Sequence, residues 1–332
     1  MQSNKKIAVI GSGSWATAIV KILCNNNNTV HWYFRKQSDI DFVKTHKHNP
    51  KYLSSVNFDL NNLELSSQLE FVISKVDIVI LAVPSAFIND TLKDLPKIIF
   101  KNKLIFSAIK GIVPEYNLIV GEYLNSIYDV PIENIGVITG PCHAEEVALE
   151  KLSYLTLACI DINNAEILCD AMRCRYIKCS SSDDIYGTEI SAVLKNVIAV
   201  AAGICNSLGY GDNFLSVLVS NAIQEIDRFV AAVHPIERDT KASAYLGDLI
   251  VTVYSQFSRN RMFGAMLGKG YSVKNAQLEM NMIAEGYYAV KCVCEINNKY
   301  HVHIPITNAV NNIIYNNKNA KIEMELLADK LT

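Results

Sequence analysis

An α/β fold is predicted: a doubly wound, mostly parallel sheet followed by an all-α region. Three observations carry that expectation. The apolar run Ile7–Ile10 ends in GSGSWATA, where Gly11, Gly13 and Ala16 give G-x-G-x-x-A before a helical pattern. Strand-like and helix-like runs then alternate to about residue 185. From Thr188 onward strand-like alternation almost disappears and helical patterns fill the chain. The expected domains are 1–186 and 187–332. No low-complexity linker separates them, so the join near Asp184–Thr188 is expected to be tight.

Ile7–Ile10 suits a parallel strand buried on both faces. Gly11 permits the tight turn that follows, Gly13 lets a pyrophosphate approach the backbone, and Ala16 allows close helix–strand packing. The helix continuing through Ala18, Ile19, Ile22 and Leu23 opens with free N–H groups, which suit phosphate. The second strand is Thr29–Phe34, after the asparagine cluster Asn25–Asn28. In NAD binders such a strand ends in Asp or Glu for the ribose hydroxyls. This one ends in Arg35 and Lys36. Arg35 can pair with a 2′-phosphate and stack on adenine, which favours NADP or tolerance of both cofactors. The plainer alternative is an exposed strand-end charge.

Lys36–Leu69 is polar and shows no clear period. Asp77–Val83 reads as a buried strand stopped by Pro84, with a helix over Ser85–Leu95. Lys103–Ser107 is the next strand, and its loop carries Lys110. Ile135–Thr139 follows, with Gly140, Pro141, Cys142, His143 and Ala144 in its loop. Leu155–Ile160 and Tyr176–Cys179 are further strand candidates. Ligands of such sheets lie beyond the carboxyl ends of the strands, which places the glycine turn, the Lys110 loop and the Gly140 loop at one crevice. Beyond Thr188, helices are expected over Glu189–Asn206, Ser216–Val233, Ala244–Tyr254 and Asn281–Asn297. Pro305 and Thr307 open a last helical region.

Composition narrows the function. The chain has 332 residues, 50% hydrophobic and 19% charged, with a net charge of −2. That is globular, with no basic tract for nucleic acid or an anionic membrane. An anionic ligand must therefore be held by a few local cations. Nine cysteines without a close-set C-x-x-C pair form no zinc pattern and no disulfide framework, so free thiols in a reducing cytoplasm are expected and no metal. MQSNKK passes directly into a strand-like run, so no signal peptide is expected, and no uninterrupted apolar segment reads as long enough to span a bilayer.

The helix TEISAVLKNVIAVAAGICN is apolar on nearly every face, with Thr188 as a plausible N-cap. In its middle sits Lys195, followed by Asn196. A cation inside such a helix is costly unless a partner meets it, or unless its stem packs while the ammonium reaches water.

These stretches resemble the bacterial-type, soluble NAD(P)-dependent glycerol-3-phosphate dehydrogenase family. The similarity rests on GSGSWATA, AIKG around Lys110, ITGPCHAEE around Gly140, LKNVIAVAAG around Lys195, and LGDLIVTVYSQFSRNRMFGAMLGKG from Leu246. IAEGY around Glu285 and IPIT near Pro305 add to it. They run through both domains in the family's order. The resemblance implies a Rossmann-like domain followed by an α-helical one, commonly in a homodimer. It also implies hydride transfer between NAD(P)H and dihydroxyacetone phosphate, giving sn-glycerol 3-phosphate for phospholipid synthesis. By this analogy Lys195 is the active-site acid and base. Lys110, Gly140, Asp248, Ser258, Arg259 and Asn260 hold the substrate. Ser14, Trp15, Arg35, Lys110, Ala144, Arg259, Ile283 and Glu285 contact the cofactor. Thr252 matches a threonine of related eukaryotic enzymes. Cys142 stands where the pattern has Thr or Ser, so its contact with substrate becomes a backbone N–H or a weak thiol. Trp15 also departs from the pattern, in place of other aromatic or hydrophobic choices.

The residue types suit that chemistry. Hydride arriving at a ketone leaves an alkoxide, which an ammonium in a dry site stabilises and protonates. Burial and Lys110 lower the pKa of Lys195 while Asp248 holds it charged, and the sequence leaves the balance open. Arg259, with Asn260, offers a planar fork to a phosphate dianion. Plainer readings stand beside these. Lys110 is otherwise a loop cation, Asp248 a helix cap, and Arg259 with Arg261 a solvated basic turn. His143 is a cap or surface residue. Two other functions share the domain plan: a dehydrogenase of a 3-hydroxy acid or ketopantoate-like compound, and a catalytically silent NADP(H)-binding protein.

Overall fold

The structure is a computed structural model, and it describes residues 5–26, 28–280 and 283–332. In chain order it begins with β1 (Ile7–Ile10), α1 (Ser14–Asn25), β2 (Val30–Tyr33), α2 (Gln37–His46), β3 (Leu63–Ser66), α3 (Leu69–Ser74) and β4 (Ile78–Leu81). There follow α4 (Ile88–Leu92), β5 (Leu104–Ser107), β6 (Ile112–Val113), β7 (Leu118–Ile119), α5 (Val120–Tyr128), β8 (Ile135–Thr139), α6 (Ala144–Ala148), β9 (Ser153–Cys159), α7 (Ile162–Met172) and β10 (Ile177–Ser182). The remainder is helical: α8 (Ile185–Ser207), α9 (Asp212–Val233), α10 (Asp248–Tyr254), α11 (Arg259–Gly268), α12 (Val273–Glu279), α13 (Glu285–Tyr300), α14 (Pro305–Ile314) and α15 (Ala320–Ala328). The chain divides into two compact units, one of Met1–Ile109 with Val120–Ile185 and one of Lys110–Ile119 with Tyr186–Thr332.

The first unit holds an eight-stranded sheet in the order β10-β9-β8-β5-β4-β1-β2-β3. Every neighbouring pair is parallel except β8 and β9. The central strands β1 and β4 are buried at every position, which is why they read as unbroken apolar runs. Chain order 1-2-3 runs outward on one side of β1 and 4-5-8 on the other, so the sheet is doubly wound. Gly11 after β1, Ala108 after β5 and Gly140 after β8 therefore leave the same edge of the sheet.

Gly11 is where a side chain fails. Its φ is +125°, and a Cβ there would stand 2.5 Å from the Ala82 carbonyl oxygen. Only glycine combines that dihedral with so close an approach to the chain leaving β4.

The ambiguous stretch 36–69 contains α2 and β3. β3 (LELS) is an edge strand with no fully buried position, which explains its missing signal. The helix expected over Ser85–Leu95 is instead a 3₁₀ turn, Ser85–Phe87, running into the short α4.

The second unit is built on α8. Val193, Leu194, Val197, Ile198, Val200, Ala201, Ala202 and Ile204 are all wholly buried in one apolar cluster. One expectation for this segment is corrected. The helix starts at Ile185, so Thr188 lies inside its first turn, fully buried, and is not the N-cap. Among the described residues α8 is also long and apolar enough to cross a membrane by length and composition, with a mean hydropathy of 1.5, but that window is 100% buried within the chain. It is a core helix.

Close backbone packing fastens α11 to α8. A Cβ on Gly203 would run into the Arg261 carbonyl, and one on Gly264 into the Val200 carbonyl. The segment expected to be one helix over Ala244–Tyr254 opens with a π-helical turn, Ser243–Gly247, before α10. Asn281 and Met282, at the start of the helix expected over Asn281–Asn297, lie outside the described residues. The helix itself runs Glu285–Tyr300. The hairpin β6–β7, with Ile112 opposite Ile119, belongs to this unit and was not foreseen.

Candidate functional site

Two constellations hold the predicted residues, one in each unit. In the second unit Lys195 projects from the middle of α8 and is only 5% exposed. A charge so buried needs partners, and α10 supplies both. Lys195 Nζ donates to Asp248 Oδ1 at 2.5 Å and to Thr252 Oγ1 at 2.9 Å. Asp248 and Thr252 are one turn apart, so they share a face of α10. The Thr252 hydroxyl donates back to the Asp248 carbonyl at 2.6 Å, which leaves its lone pairs for the lysine. An ammonium has three N–H donors, and the third has no protein acceptor among the described residues.

The Lys110 ammonium reaches the same carboxylate, 3.0 Å from Asp248 Oδ2. Asp248 opens α10 but is spent on two lysines rather than on capping it. With both lysines protonated the trio carries one net positive charge. Burial pulls the Lys195 pKa down from the ordinary lysine value to about 7; Asp248 opposes that shift and Lys110 adds to it. For Asp248, burial pushes upward, but the two ammoniums outweigh it and hold the carboxyl below the usual aspartate range. The balance left open by the sequence is thus settled by burial for the lysine and by charge for the aspartate.

A chain of amides frames the trio. Asn196, next to Lys195, donates to the Lys110 carbonyl at 2.7 Å. Asn260 donates to Asn196 Oδ1 at 2.9 Å and accepts from the Gly286 N–H at 2.9 Å. The segment carrying Lys110 and helices α8, α11 and α13 are therefore tied by two buried side chains. Asn196 was not singled out from the sequence as a site residue. Its signal was a second polar residue inside an otherwise apolar helix. Ser258 caps α11, accepting from the Arg261 N–H. Half-buried Arg259 begins that helix beside Asn260 and carries no ion pair among the described residues. Glu285 opens α13, and Ile283 lies two residues before it, half-buried.

The first unit holds the other residues. Gly13 stands at the N-cap of α1, where no side chain caps the helix and no acidic residue sits in its first turn. A Cβ on Gly13 would meet nothing within 4 Å, so the turn presents bare backbone to open space. Ser14 and Trp15 form the first turn, and the Trp15 indole N–H is buried without a hydrogen-bond partner among the described residues. Arg35 is exposed just beyond β2, with no ion pair among the described residues. Gly140, at φ +106°, turns the chain after β8. Cys142 is buried, His143 is the N-cap residue of α6, and Ala144 begins that helix.

Comparison with known proteins gives concordant likenesses. Residues 6–165 match the family model described as NAD-dependent glycerol-3-phosphate dehydrogenase N-terminus, and residues 184–325 match the one for its C-terminus. The glycerol-3-phosphate dehydrogenase [NAD(P)+] of Oceanobacillus iheyensis is 34% identical over 328 residues, 98% of this chain and 94% of that protein. The crystal structure of glycerol-3-phosphate dehydrogenase from Coxiella burnetii superposes with a TM-score of 0.90 at 26% identity, covering 97% of this chain and 98% of that one. A ketopantoate reductase from Ralstonia eutropha shares the fold at a TM-score of 0.60 and 14% identity, over 98% of this chain and 99% of that one.

Proposed function

The chain belongs to the NAD-dependent glycerol-3-phosphate dehydrogenase family, and on that premise we infer that it interconverts dihydroxyacetone phosphate and sn-glycerol 3-phosphate with NAD(P)H, using Lys195 as proton donor and acceptor. One observation carries the role of Lys195: a buried ammonium held by Asp248 and Thr252 with one N–H to spare.

The first unit suits a dinucleotide. Bare backbone at Gly13, no side chain capping the start of α1, and a buried Trp15 indole N–H without a partner among the described residues fit a group rich in acceptor oxygens. Gly11, Gly13, Ser14, Trp15 and Ala144 would hold it, with Lys110, Arg259, Ile283 and Glu285 contributing from the rest of the chain. Bound there, the nicotinamide supplies or accepts the hydride. Arg35, exposed and without an ion pair among the described residues, suits a 2′-phosphate, so NADP is tolerated or favoured.

Lys110, Gly140, Cys142, Ser258, Arg259 and Asn260 hold the substrate, and Arg259 grips its phosphate with the planar guanidinium. Lys195 donates its proton to the C2 oxygen during reduction and, as a neutral amine, takes it back during oxidation. Lys110 adds a second positive charge where the oxyanion develops. Asp248 aims both ammoniums, and Thr252 fixes the rotamer of Lys195. In this reading the first unit serves mainly the cofactor and the second, which includes Lys110, carries the proton-transfer chemistry, in a cytoplasmic homodimer that supplies glycerol 3-phosphate for phospholipids. Nine cysteines, none of them in a disulfide, suit that reducing compartment.

Initial rates with dihydroxyacetone phosphate, taken with NADH and NADPH side by side, test the reading. Turnover with either supports it. Cofactor binding with no turnover on this ketone, but turnover on a 2-keto acid, would replace it.

A further inference from the structure

The backbone of the glycine turn is tied down by side chains that the motif does not contain. Each carbonyl of Gly11, Ser12 and Gly13 has a donor. The Trp32 indole N–H donates to Gly11 at 2.7 Å, inside the core. The Asn49 amide donates to Ser12 at 3.0 Å. The Thr17 hydroxyl donates to Gly13 at 2.8 Å, alongside the Thr17 backbone N–H at 2.9 Å.

Asn49 is the hub of this arrangement and is only 1% exposed. Its second amide hydrogen goes to Thr17 Oγ1 at 2.9 Å, so Asn49, Thr17 and Gly13 form one relay. Its carbonyl accepts from the N–H groups of Lys51 and Tyr52, at 2.9 and 3.1 Å. Those two N–H donors set the amide's orientation. Flipping it would aim NH₂ at N–H groups and oxygen at the Ser12 carbonyl. Asn49 lies in the loop after α2, the helix that begins two residues after Arg35, and Trp32 lies on β2, three residues before Arg35. The element bearing Arg35 is thereby fastened to the turn that would face pyrophosphate.

We propose that Asn49 and Trp32 are positioning residues for the dinucleotide: by engaging the turn's carbonyls they hold its N–H groups outward, ready for phosphate oxygens. A peptide unit that loses its carbonyl anchor is free to rotate its N–H away from the ligand, and restoring it then draws on binding energy. Neither residue touches the phosphates. Both act through the Gly11–Gly13 backbone, so NADH and NADPH are affected alike, because the pyrophosphate is common to both. This rests on the reading of the first unit as the NAD(P) site.

The test is calorimetric titration of NADH and NADPH into wild type, Asn49→Asp and Trp32→Phe, with melting of each ligand-free protein. Asn49→Asp keeps the acceptor for Lys51 and Tyr52 and loses the donors. Trp32→Phe keeps an aromatic ring against Phe34 and Phe58 and loses the N–H. The expected result for Asn49→Asp is a Kd about tenfold or more higher for both cofactors by the same factor, and for Trp32→Phe about fivefold. In turnover assays the loss falls on KM for the cofactor and not on kcat. Kd values within about twofold of wild type in folded variants would overturn the proposal. If Asn49→Asp does not fold, Trp32→Phe decides by the same criterion. A wild-type protein that binds neither cofactor would instead overturn the NAD(P) reading itself.

Discussion

Lys195 Nζ and Asp248 Oδ1 stand 2.5 Å apart across 53 residues of sequence, both side chains almost wholly shielded from water. Their energetics are asymmetric. A buried pair gains little net stability, because desolvating both charges offsets their attraction, but removing one partner strands the other. The pair is better understood as holding an ammonium ready. Asp248 also meets Lys110, so deleting Lys195 leaves the carboxylate a partner, whereas deleting Asp248 leaves two cations facing each other.

That asymmetry makes Lys195→Ala the cleaner probe. It is expected to lower kcat by roughly 10²- to 10⁴-fold while the chain stays folded and binds NAD(P)H. Steady-state rates with cofactor titrations check it. Full turnover in the variant would remove Lys195 from proton transfer.

A second expectation concerns pH. Because Lys195 is drawn down to about 7, reduction of the ketone loses kcat/KM as pH rises past that value, and oxidation of the alcohol gains it. The stability contribution follows the same titration. The folded chain binds fewer protons at Lys195 than the unfolded chain between about 7 and 10.5, so this group's contribution rises with pH across that window. Below it, the full cost of burying the charge applies. Paired pH–rate profiles in the two directions would show opposite limbs; flat profiles from pH 6 to 9 would contradict the assignment.

Arg35→Ala separates the cofactors. An exposed guanidinium reading a 2′-phosphate contributes a charge-assisted contact, so KM for NADPH should rise roughly tenfold or more, with less than about a twofold change for NADH. This is the reverse of the uniform loss expected from Asn49→Asp. Equal effects on both cofactors would mean that Arg35 does not read the 2′-phosphate.

Packing of α11 against α8 gives a stability prediction. Gly264→Ala drives a methyl into the Val200 carbonyl, backbone against backbone, where no rotamer change relieves it. A cost of about 1–3 kcal/mol is expected in denaturant unfolding. Because α11 carries Arg259 and Asn260, KM for the ketone should rise as well. An unchanged midpoint would mean that the two helices separate freely.

The strands of the sheet's centre were legible because β1, β4 and β8 are buried on both faces and so are written as unbroken apolar runs. Where burial is partial the writing fades. β3 at the sheet's edge left no period, and the two-residue strands β6 and β7 are too short to show one. Thr188 looked like a cap because Thr favours that place, yet the helix continues one turn further toward the N-terminus. Lys195 announced itself as a charge in the wrong surroundings. Asn49 and Trp32 gave no such sign, since their partners are main-chain carbonyls that carry no identity in sequence.

By itself the amino-acid order determined the fold class, the glycine turn and the presence of a cation in an apolar helix, since each depends on residue type and local spacing. The fold alone decided which carboxylate meets that cation, that burial outweighs Asp248 in setting its protonation, and that Asn196 and Asn260 bind four segments together. Those outcomes depend on distance and desolvation between residues far apart in the chain, and both quantities exist only once the helices have packed.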